Sequence, residues 1–277
     1  MCGPPQHRVE HRLGEPAGEG VLLARVVAAE QHDVAVGCAE HGLGAVAEPR
    51  LRAGHVPPRS SDGGQGGVPA DRAESDDVIK AVEWVTAHVR AKGWPAVVNM
   101  SLVTPRYPEL DARVQASINS GITYVVAAGN VMPDYLVPDA CHISPAHIGD
   151  AVTVGNVDPG DDKVAATSFI GSCVDLFAPG VNILSASPML NAGGNVREGT
   201  SMATAHVSGV AALYLETTLR WPGRSALPRD VGKAIGSASV RFPSTRIWPW
   251  TNSGYPGSPD RLLHWGAGDI NGVKDAD

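Results

Sequence analysis

The chain has 277 residues, of which 43% are hydrophobic, and its formal net charge is −7. This length suits one large domain with one main core, and the acidic balance excludes a broad basic surface for a nucleic-acid backbone. No apolar run reaches the roughly 20 residues that a membrane helix requires, and Arg25 interrupts the run at 21–29 that would otherwise suggest an export signal. We expect a monomer with no nucleic-acid partner, no membrane span and no recognisable signal peptide.

The first quarter of the chain differs in composition from the rest. Residues 1–78 contain no Phe, Tyr, Trp, Ile, Asn, Thr or Lys, and no hydrophobic period of two or 3.6 residues is sustained there. We predict an irregular or disordered segment over residues 1–71, a main domain over 72–266 and a tail over 267–277. Codons for Phe, Tyr, Ile, Asn and Lys all open with two A or T bases, which suggests the hypothesis of a GC-rich gene read in a wrong frame; resequencing would test it.

From residue 75 onward, helical and strand patterns alternate. Ser-Asp-Asp at 75–77 caps a helix that Gly93 ends, and a second helix is predicted over 109–119. The order of these elements predicts a parallel sheet with crossover helices. A helix over 200–219 is so rich in Ala and Val that we expect burial on most of its circumference. Short apolar runs predict four buried strands, at residues 96–102, 122–128, 151–157 and 174–177.

The most informative stretch reads Gly-Thr-Ser-Met-Ala-Thr-Ala-His-Val-Ser-Gly at residues 199–209. It places Ser201 in the first turn of a helix, where unpaired amide groups and the helix dipole favour a developing oxyanion. The small residues Gly199 and Ala203 leave room for a substrate backbone. An isolated Gly-Thr-Ser would more simply be a helix cap, so the interpretation depends on what else the chain contains.

Further phrases occur in order along the chain and resemble the subtilases, the subtilisin-like serine peptidases, in their proteinase K and aqualysin branch. The resemblance covers about residues 72–263. It implies a three-layer α/β fold with a mostly parallel sheet flanked by helices, and a serine endopeptidase acting on a peptide or protein substrate. The matching phrases include Val-Val-Asn-Met-Ser-Leu at 97–102, Val-Val-Ala-Ala-Gly-Asn at 125–130, Ser-Pro-Ala at 144–146, Cys-Val-Asp-Leu-Phe-Ala-Pro-Gly at 173–180 and Ser-Pro-Asp-Arg-Leu-Leu at 258–263.

By this resemblance Ser201 corresponds to the acylating nucleophile and Asn130 to the side-chain donor of the oxyanion hole. Such a donor, with the backbone N–H of the nucleophile, stabilises a tetrahedral intermediate. Ala127, Ala128 and Gly129 correspond to one wall of the primary specificity pocket. Ser101 and Leu102 correspond to the start of the facing wall.

The chain departs from the family after Ser101-Leu102. Where the family has glycines whose backbone pairs with substrate, this chain reads Val-Thr-Pro-Arg-Tyr-Pro at 103–108. Proline lacks a backbone donor, so substrate pairing at this edge is placed in question. Ala205 also stands where the family mostly has proline.

The resemblance also implies a disulfide between Cys141 and Cys173. It further implies a structural calcium site formed by the carbonyl oxygens of Gly149 and Ala151 and the carboxylate of Asp175, while the chemistry itself requires no cofactor. Two free cysteines and a plain surface aspartate are the simpler alternatives. Members of the family are typically secreted, a location that the disulfide would suit.

No catalytic base or acid is identified. Serine needs a histidine to take its proton and a carboxylate to orient that histidine, yet the Asp-Thr-Gly and His-Gly-Thr-His phrases of the family do not occur. We interpret His206, five positions after Ser201, as a packed core histidine. His142 and His147 are expected at the surface.

Three functional hypotheses result. The first is a serine endopeptidase acting through Ser201, impaired as written because no Asp/His pair is identifiable. The second is a catalytically inactive subtilase-like protein that binds peptides. The third, an α/β-hydrolase esterase, is disfavoured because residues 199–203 lack the closing glycine of Gly-x-Ser-x-Gly.

Overall fold

The computed structural model describes the backbone of three amino-terminal strands and of residues 75 and 186, and, in full, residues 76–131, 138–185, 194–219, 226–241 and 257–264. The helices are α1 (Ser75–Lys92), α2 (Pro108–Asn119), α3 (Thr200–Leu219) and α4 (Pro228–Ala238), with a 3₁₀ turn at Ala140–His142. The strands are β1 (Leu22–Ala28), β2 (Val34–Glu40), β3 (Arg52–His55), β4 (Ala96–Met100), β5 (Thr104–Pro105), β6 (Thr123–Ala127), β7 (Ile143–Ser144), β8 (Val152–Asp158), β9 (Lys163–Val164), β10 (Leu176–Pro179), β11 (Ile183–Ala186), β12 (Gly194–Arg197), β13 (Val240–Arg241) and β14 (Arg261–Leu262).

Ten of the described strands form one sheet in the order β13-β14-β10-β8-β6-β4-β1-β2-β3, with β9 beside β8. Every pairing from β1 through β4, β6, β8 and β10 to β14 is parallel. The pairings at the two ends, β1–β2–β3 and β13–β14, are antiparallel. The carboxyl ends of the central strands therefore meet at one edge of the sheet.

Helices cover both faces of the central strands. Val98 and Val126 pack with α1 and α2, whereas their sequence neighbours Val97 and Val125 pack with α3 and α4. This alternation follows from the period of two along a strand and explains why the strands are apolar throughout. The three-layer, mostly parallel α/β fold is confirmed.

Helix α3 begins and ends where the sequence predicts, but its burial is narrower. Its buried residues form one stripe at spacings of three and four, whereas Ala205, His206 and Leu213 are exposed among the described surroundings. These three positions lie on the side of the helix turned away from the sheet. The expectation of burial on most of the circumference is therefore wrong, and so is the interpretation of His206 as a core residue.

The segment 1–71, expected to be irregular or disordered, contains the backbone of β1, β2 and β3. Strand β1 joins the parallel sheet beside β4, and β2 and β3 extend it. The rest of that segment and the tail 267–277 lie outside the described residues, and the domain boundaries stay predictions. Among the helices that the structure describes, none is long and apolar enough to span a membrane.

Candidate active site

The first turn of α3 holds Ser201 against the end of β4. Gly199, at φ +139°, opens the turn and donates its N–H to the Gly180 carbonyl at 2.8 Å. Ser201 Oγ donates to the Ser101 carbonyl at 3.3 Å, and Ser101 Oγ donates to the Ser201 carbonyl at 3.0 Å. Ser201 is partly exposed and lies in the first turn, at the amino-terminal end, or mouth, of the helix.

Asn130, three residues after the end of β6, lies beside the same turn. Its Oδ1 accepts the Thr200 backbone N–H at 3.0 Å and the Thr200 hydroxyl at 3.2 Å. Two donors therefore bind the oxygen of the carboxamide and fix its orientation relative to the first turn of α3. The structure thus brings the Asn130 carboxamide to the residue that directly precedes Ser201.

Thr200 is the residue that the sequence analysis missed. It is fully buried, and its hydroxyl accepts the Gly129 N–H at 3.3 Å while donating to Asn130. It therefore joins the end of one strand to the start of α3 across 71 positions in sequence. The Gly-Thr-Ser phrase contained this residue, but a hydroxyl next to the nucleophile carries no signal of what it contacts.

A second chain of hydrogen bonds supports Ser101. Buried Ser208, two turns further along α3, donates to Asn99 Oδ1 at 3.0 Å, and Asn99 Nδ2 donates to Ser101 Oγ at 2.8 Å. Ser101 in turn donates to the Ser201 carbonyl. Because every link is buried or partly buried, this chain fixes the end of β4 relative to α3.

The predicted substrate walls leave adjacent parallel strands at the same edge of the sheet. Ser101 and Leu102 follow β4 and are partly buried, while Ala127 and Ala128 are buried at the end of β6. Gly129 has φ +107°, and a Cβ there would lie 2.6 Å from an Ile143 side-chain carbon. The fold brings these residues near Ser201, and their role in substrate binding stays a prediction.

The proline-containing segment after Leu102 pairs within the chain. Thr104 and Pro105 form the short strand β5, which pairs antiparallel with β7. Beside it, Ser144 Oγ donates to Asp111 Oδ2 at 2.9 Å and accepts the Tyr107 N–H at 2.8 Å. Part of the segment that follows the predicted substrate wall is therefore occupied by intramolecular pairing.

His147 is not at the surface, contrary to expectation. Its side chain is 17% exposed and its Nε2 lies 3.4 Å from Asp111 Oδ2. Its other ring nitrogen lies 3.1 Å from the Ile143 carbonyl oxygen. His142 is exposed, as expected. The difference arises because residue 147 packs back onto α2, a tertiary contact with no local signature.

Among the described residues, the Ser201 hydroxyl forms no hydrogen bond with a histidine or a carboxylate. His206 makes a local contact with the Met202 carbonyl at 3.0 Å. His41, His55 and Asp33 resemble the family's missing catalytic phrases only faintly in their sequence context, and none is assigned a catalytic role. His55 belongs to β3, three strands from β4 along the sheet. His41 and Asp33 lie outside the described residues.

Gly149, Ala151 and Asp175 lie at the amino edge of the sheet, before the parallel neighbours β8 and β10. Asp175 is exposed as a residue, yet its Oδ2 accepts the Thr153 N–H at 2.7 Å. Surrounding protein partly desolvates the carboxyl group and raises its pKa to about 6, against the lowering effects of the Thr153 hydrogen bond and Arg261. A partly desolvated carboxylate, together with the carbonyl oxygens of Gly149 and Ala151, would supply the oxygen-only donor set that calcium prefers.

The described residues contain no group of three or more His, Cys, Asp or Glu side chains that could hold a metal ion. This finding does not conflict with a site of the predicted kind, because Gly149 and Ala151 would contribute carbonyl oxygens. Cys141 and Cys173 are joined by a disulfide with a Cα–Cα distance of 5.2 Å. The bond connects the 3₁₀ turn to the segment that leads into Asp175.

Comparison with known proteins agrees with this geometry. A model described as "Subtilase family" matches residues 35–239. The "Extracellular serine proteinase" of Thermus sp. (strain Rt41A) is 45% identical over 162 residues, which cover 58% of this chain and 36% of that protein. "Subtilisin-like serine protease Pen ch 18" of Penicillium rubens is 34% identical over 210 residues, covering 72% of this chain and 40% of that protein.

A solved structure, "Crystal structure of a cold adapted subtilisin-like serine proteinase", is similar with a TM-score of 0.57 and 35% identity, covering 70% of this chain and 62% of that chain. The fold and the serine at the mouth of α3 define an α/β protein of the serine-peptidase class. The chain belongs to the subtilase family. It spans about a third of the length of the Thermus relative.

Proposed function

We propose that this chain carries the nucleophile and the oxyanion site of a serine endopeptidase that hydrolyses peptide bonds through an acyl-enzyme on Ser201. The observation that supports it best is the pair of hydrogen bonds from Thr200 to Asn130 Oδ1. They anchor the oxygen of the carboxamide and leave its NH2 as a donor beside the nucleophile turn.

In the proposed reaction, Ser201 Oγ attacks the carbonyl carbon of the scissile peptide bond, and its proton passes to a base. The carbonyl oxygen becomes an oxyanion that accepts hydrogen bonds from the Asn130 side chain and the Ser201 backbone N–H. Collapse of the intermediate expels the amine, which takes up a proton, and water then hydrolyses the ester. Loss of one oxyanion donor costs about 100- to 1000-fold in turnover, a figure measured in subtilisin, which belongs to this family.

The base is the part that the described residues do not supply. The Ser201 hydroxyl donates to the Ser101 carbonyl, which can accept a hydrogen bond but cannot take up the proton. Loss of the histidine in subtilisin lowers turnover by about a millionfold. We therefore propose strongly impaired catalysis by the chain as written.

A second candidate function is a catalytically inactive protein that binds peptides. The same Ser201–Ser101 contact favours it, since the site then retains its oxyanion donors without a proton acceptor. In that case a peptide carbonyl would bind at the Asn130 amide without reacting. The β5–β7 pairing would limit how much of the peptide backbone could pair with the segment after Leu102.

We extend the proposal to a structural calcium ion held by the Gly149 and Ala151 carbonyls and the Asp175 carboxylate. When bound, the ion would neutralise a carboxylate that the protein partly desolvates. The residues themselves already join β8 to β10 through the Asp175–Thr153 hydrogen bond. No step of the proposed reaction involves this site.

The disulfide between Cys141 and Cys173 supports secretion, because such bonds persist in oxidising compartments. The name of the Thermus relative is in keeping with this location. We further propose that the substrate is a peptide or protein, and that the chain acts as a monomer without nucleic-acid or membrane partners.

Chemical rescue separates the two candidate functions. The chain, and Ser201→Ala as the control, would be incubated with a fluorophosphonate probe with and without added imidazole, which supplies the proton acceptor. We expect little labelling without imidazole and clear labelling of Ser201 with it. Absence of labelling at Ser201 at every imidazole concentration, in a protein shown to be folded, would favour the inactive peptide-binding alternative.

A further inference from the structure

One buried polar side chain near the active site has no partner among the described residues. Asn156, in strand β8, is fully buried, and in the described part of the chain neither its Nδ2 nor its Oδ1 has a hydrogen-bond partner. Its backbone is satisfied, since its N–H donates to Ser168 Oγ at 3.0 Å and its carbonyl accepts the Ala165 N–H at 3.0 Å. A buried amide with both polar atoms unpaired is strongly unfavourable and uncommon in folded proteins.

The position of Asn156 relates it to the nucleophile turn. Val152 and Val154 on the same strand pack against α3, and the period of two along a strand places residue 156 on that face. A Cβ on Gly180 would overlap the Asn156 Cβ and lie 2.9 Å from the Gly199 carbonyl oxygen. The Asn156 side chain therefore lies next to the Gly180–Gly199 contact.

From Gly199 the contacts lead directly to the oxyanion site. Gly199 donates to the Gly180 carbonyl at 2.8 Å, and a Cβ on Gly199 would lie 3.2 Å from both polar atoms of the Asn130 carboxamide. Gly199 is followed by Thr200, which holds Asn130 Oδ1. The Gly180–Gly199 contact thus lies between Asn156 and the Asn130 carboxamide, the group proposed to bind the oxyanion.

We propose that Asn156 binds an internal water molecule that hydrogen-bonds the backbone of the Gly180–Gly199 contact, and that it is thereby a positioning residue for Thr200 and Asn130. Water suits this role because the amide offers both a donor and an acceptor and carries no charge. Backbone carbonyls have a second lone pair for such a bond, and buried water typically joins otherwise unsatisfied polar groups. The inference rests on the proposed function for what the positioned residues do, but its test needs no catalysis.

The test compares Asn156→Leu, which keeps the branched shape and removes the polarity, with Asn156→Ser, which keeps a donor and an acceptor. Asn119→Leu, at an exposed position of α2, is the control for the chemical change. We expect Asn156→Leu to lower the equilibrium constant for folding about tenfold and to accelerate hydrogen exchange at the Thr200 amide by more than the change in global stability. Asn156→Ser should recover most of both effects.

NMR cross-relaxation between a long-lived water and the Asn156 side-chain NH2 provides a measurement on the unaltered chain, should Asn156→Leu fail to fold. Detection of that water supports the proposal. If Asn156→Leu is as stable as the unaltered chain, or if its Thr200 amide exchanges only as fast as global stability dictates, the positioning role is overturned. Lack of the water signal in the folded, unaltered chain overturns it as well.

Discussion

The two edges of the central parallel strands use different kinds of polar groups. At the carboxyl edge the polar groups are neutral: Thr200 donates two hydrogen bonds to Asn130 Oδ1, and Ser101 donates one to the Ser201 carbonyl. At the amino edge, Asp175 is a carboxylate whose pKa surrounding protein raises to about 6. We propose that the carboxyl edge fixes the geometry of a reaction, and that the amino edge, which links strands, responds to pH and cations.

This difference indicates which properties each edge controls. Substitutions at the carboxyl edge should change the reactivity of Ser201 more than they change the response of stability to pH. Substitutions at the amino edge should do the reverse, because their side chains do not contact the nucleophile turn in the described structure. The following predictions test that separation, beginning with the largest expected change in stability.

Removal of the disulfide should destabilise the protein strongly and leave the site chemistry unchanged. The Cys141–Cys173 bond closes a loop with a sequence separation of 32, for which the chain-entropy model gives roughly 3 to 4 kcal/mol. We expect Cys141→Ser with Cys173→Ser to lower the free energy of unfolding in denaturant by about that amount. A folded double variant with unchanged imidazole-rescued labelling would support the separation, and a stability loss below about 1 kcal/mol would contradict this prediction.

Replacement of Thr200 by valine tests the carboxyl edge. The substitution keeps the shape but removes the hydroxyl that donates to Asn130 and accepts from Gly129. We expect a loss of about 1 to 3 kcal/mol in the free energy of unfolding, together with slower rescued labelling of Ser201. Thr200→Ser is the matched control and should restore both values. Equal labelling by all three proteins would show that Thr200 does not hold Asn130 in place.

The pH dependence of stability tests the amino edge. Because the pKa of Asp175 is about 6 in the folded protein and 3.8 as its ordinary value, the folded state binds more protons between about pH 4 and 6. Its contribution to stability therefore decreases as pH rises through that window and is fully lost above it. In the presence of a calcium chelator, Asp175→Asn should lack this decrease relative to the unaltered chain.

At neutral pH, added calcium should change the effect of the ionised Asp175 carboxylate on stability from unfavourable to favourable. If the ion binds the ionised Asp175 carboxylate, added calcium should raise the melting temperature of the unaltered chain and leave that of Asp175→Asn unchanged. Identical pH slopes for the two proteins would contradict the assigned cause of the raised pKa. An equal response to calcium in both would remove Asp175 from the proposed site.

The sequence predicted the central strands and α1 to α3 well because their signals are local, but it missed β1, β2, β3 and α4. Apolar runs located the four buried strands to within a few residues, and Ser75 and Gly93 bracketed α1. The two parts of the proposed oxyanion site, Ser201 and Asn130, came from the family resemblance. The structure brings Asn130 to Thr200, the neighbour of Ser201, and their joint role in binding an oxyanion stays a prediction.

What the sequence could not supply depends on contacts between distant residues. The hydrogen bonds of Thr200 with Asn130 span 70 positions, and the approach of His147 to Asp111 arises from packing of one segment onto α2. Burial of His206 was wrongly inferred, because an apolar helix sequence does not reveal which side faces the sheet. The sequence places Asn156 in an apolar strand, and only the described structure shows that its side-chain amide has no partner there.

The most direct measurement compares imidazole-rescued labelling rates of Ser201 in the unaltered chain and in Asn130→Ala, with folding of both confirmed by circular dichroism. If the Asn130 amide donates to the oxyanion, we predict that its removal slows labelling by about 100- to 1000-fold. Equal rates in two folded proteins would contradict the claim that the end of β6 and the mouth of α3 form one oxyanion site.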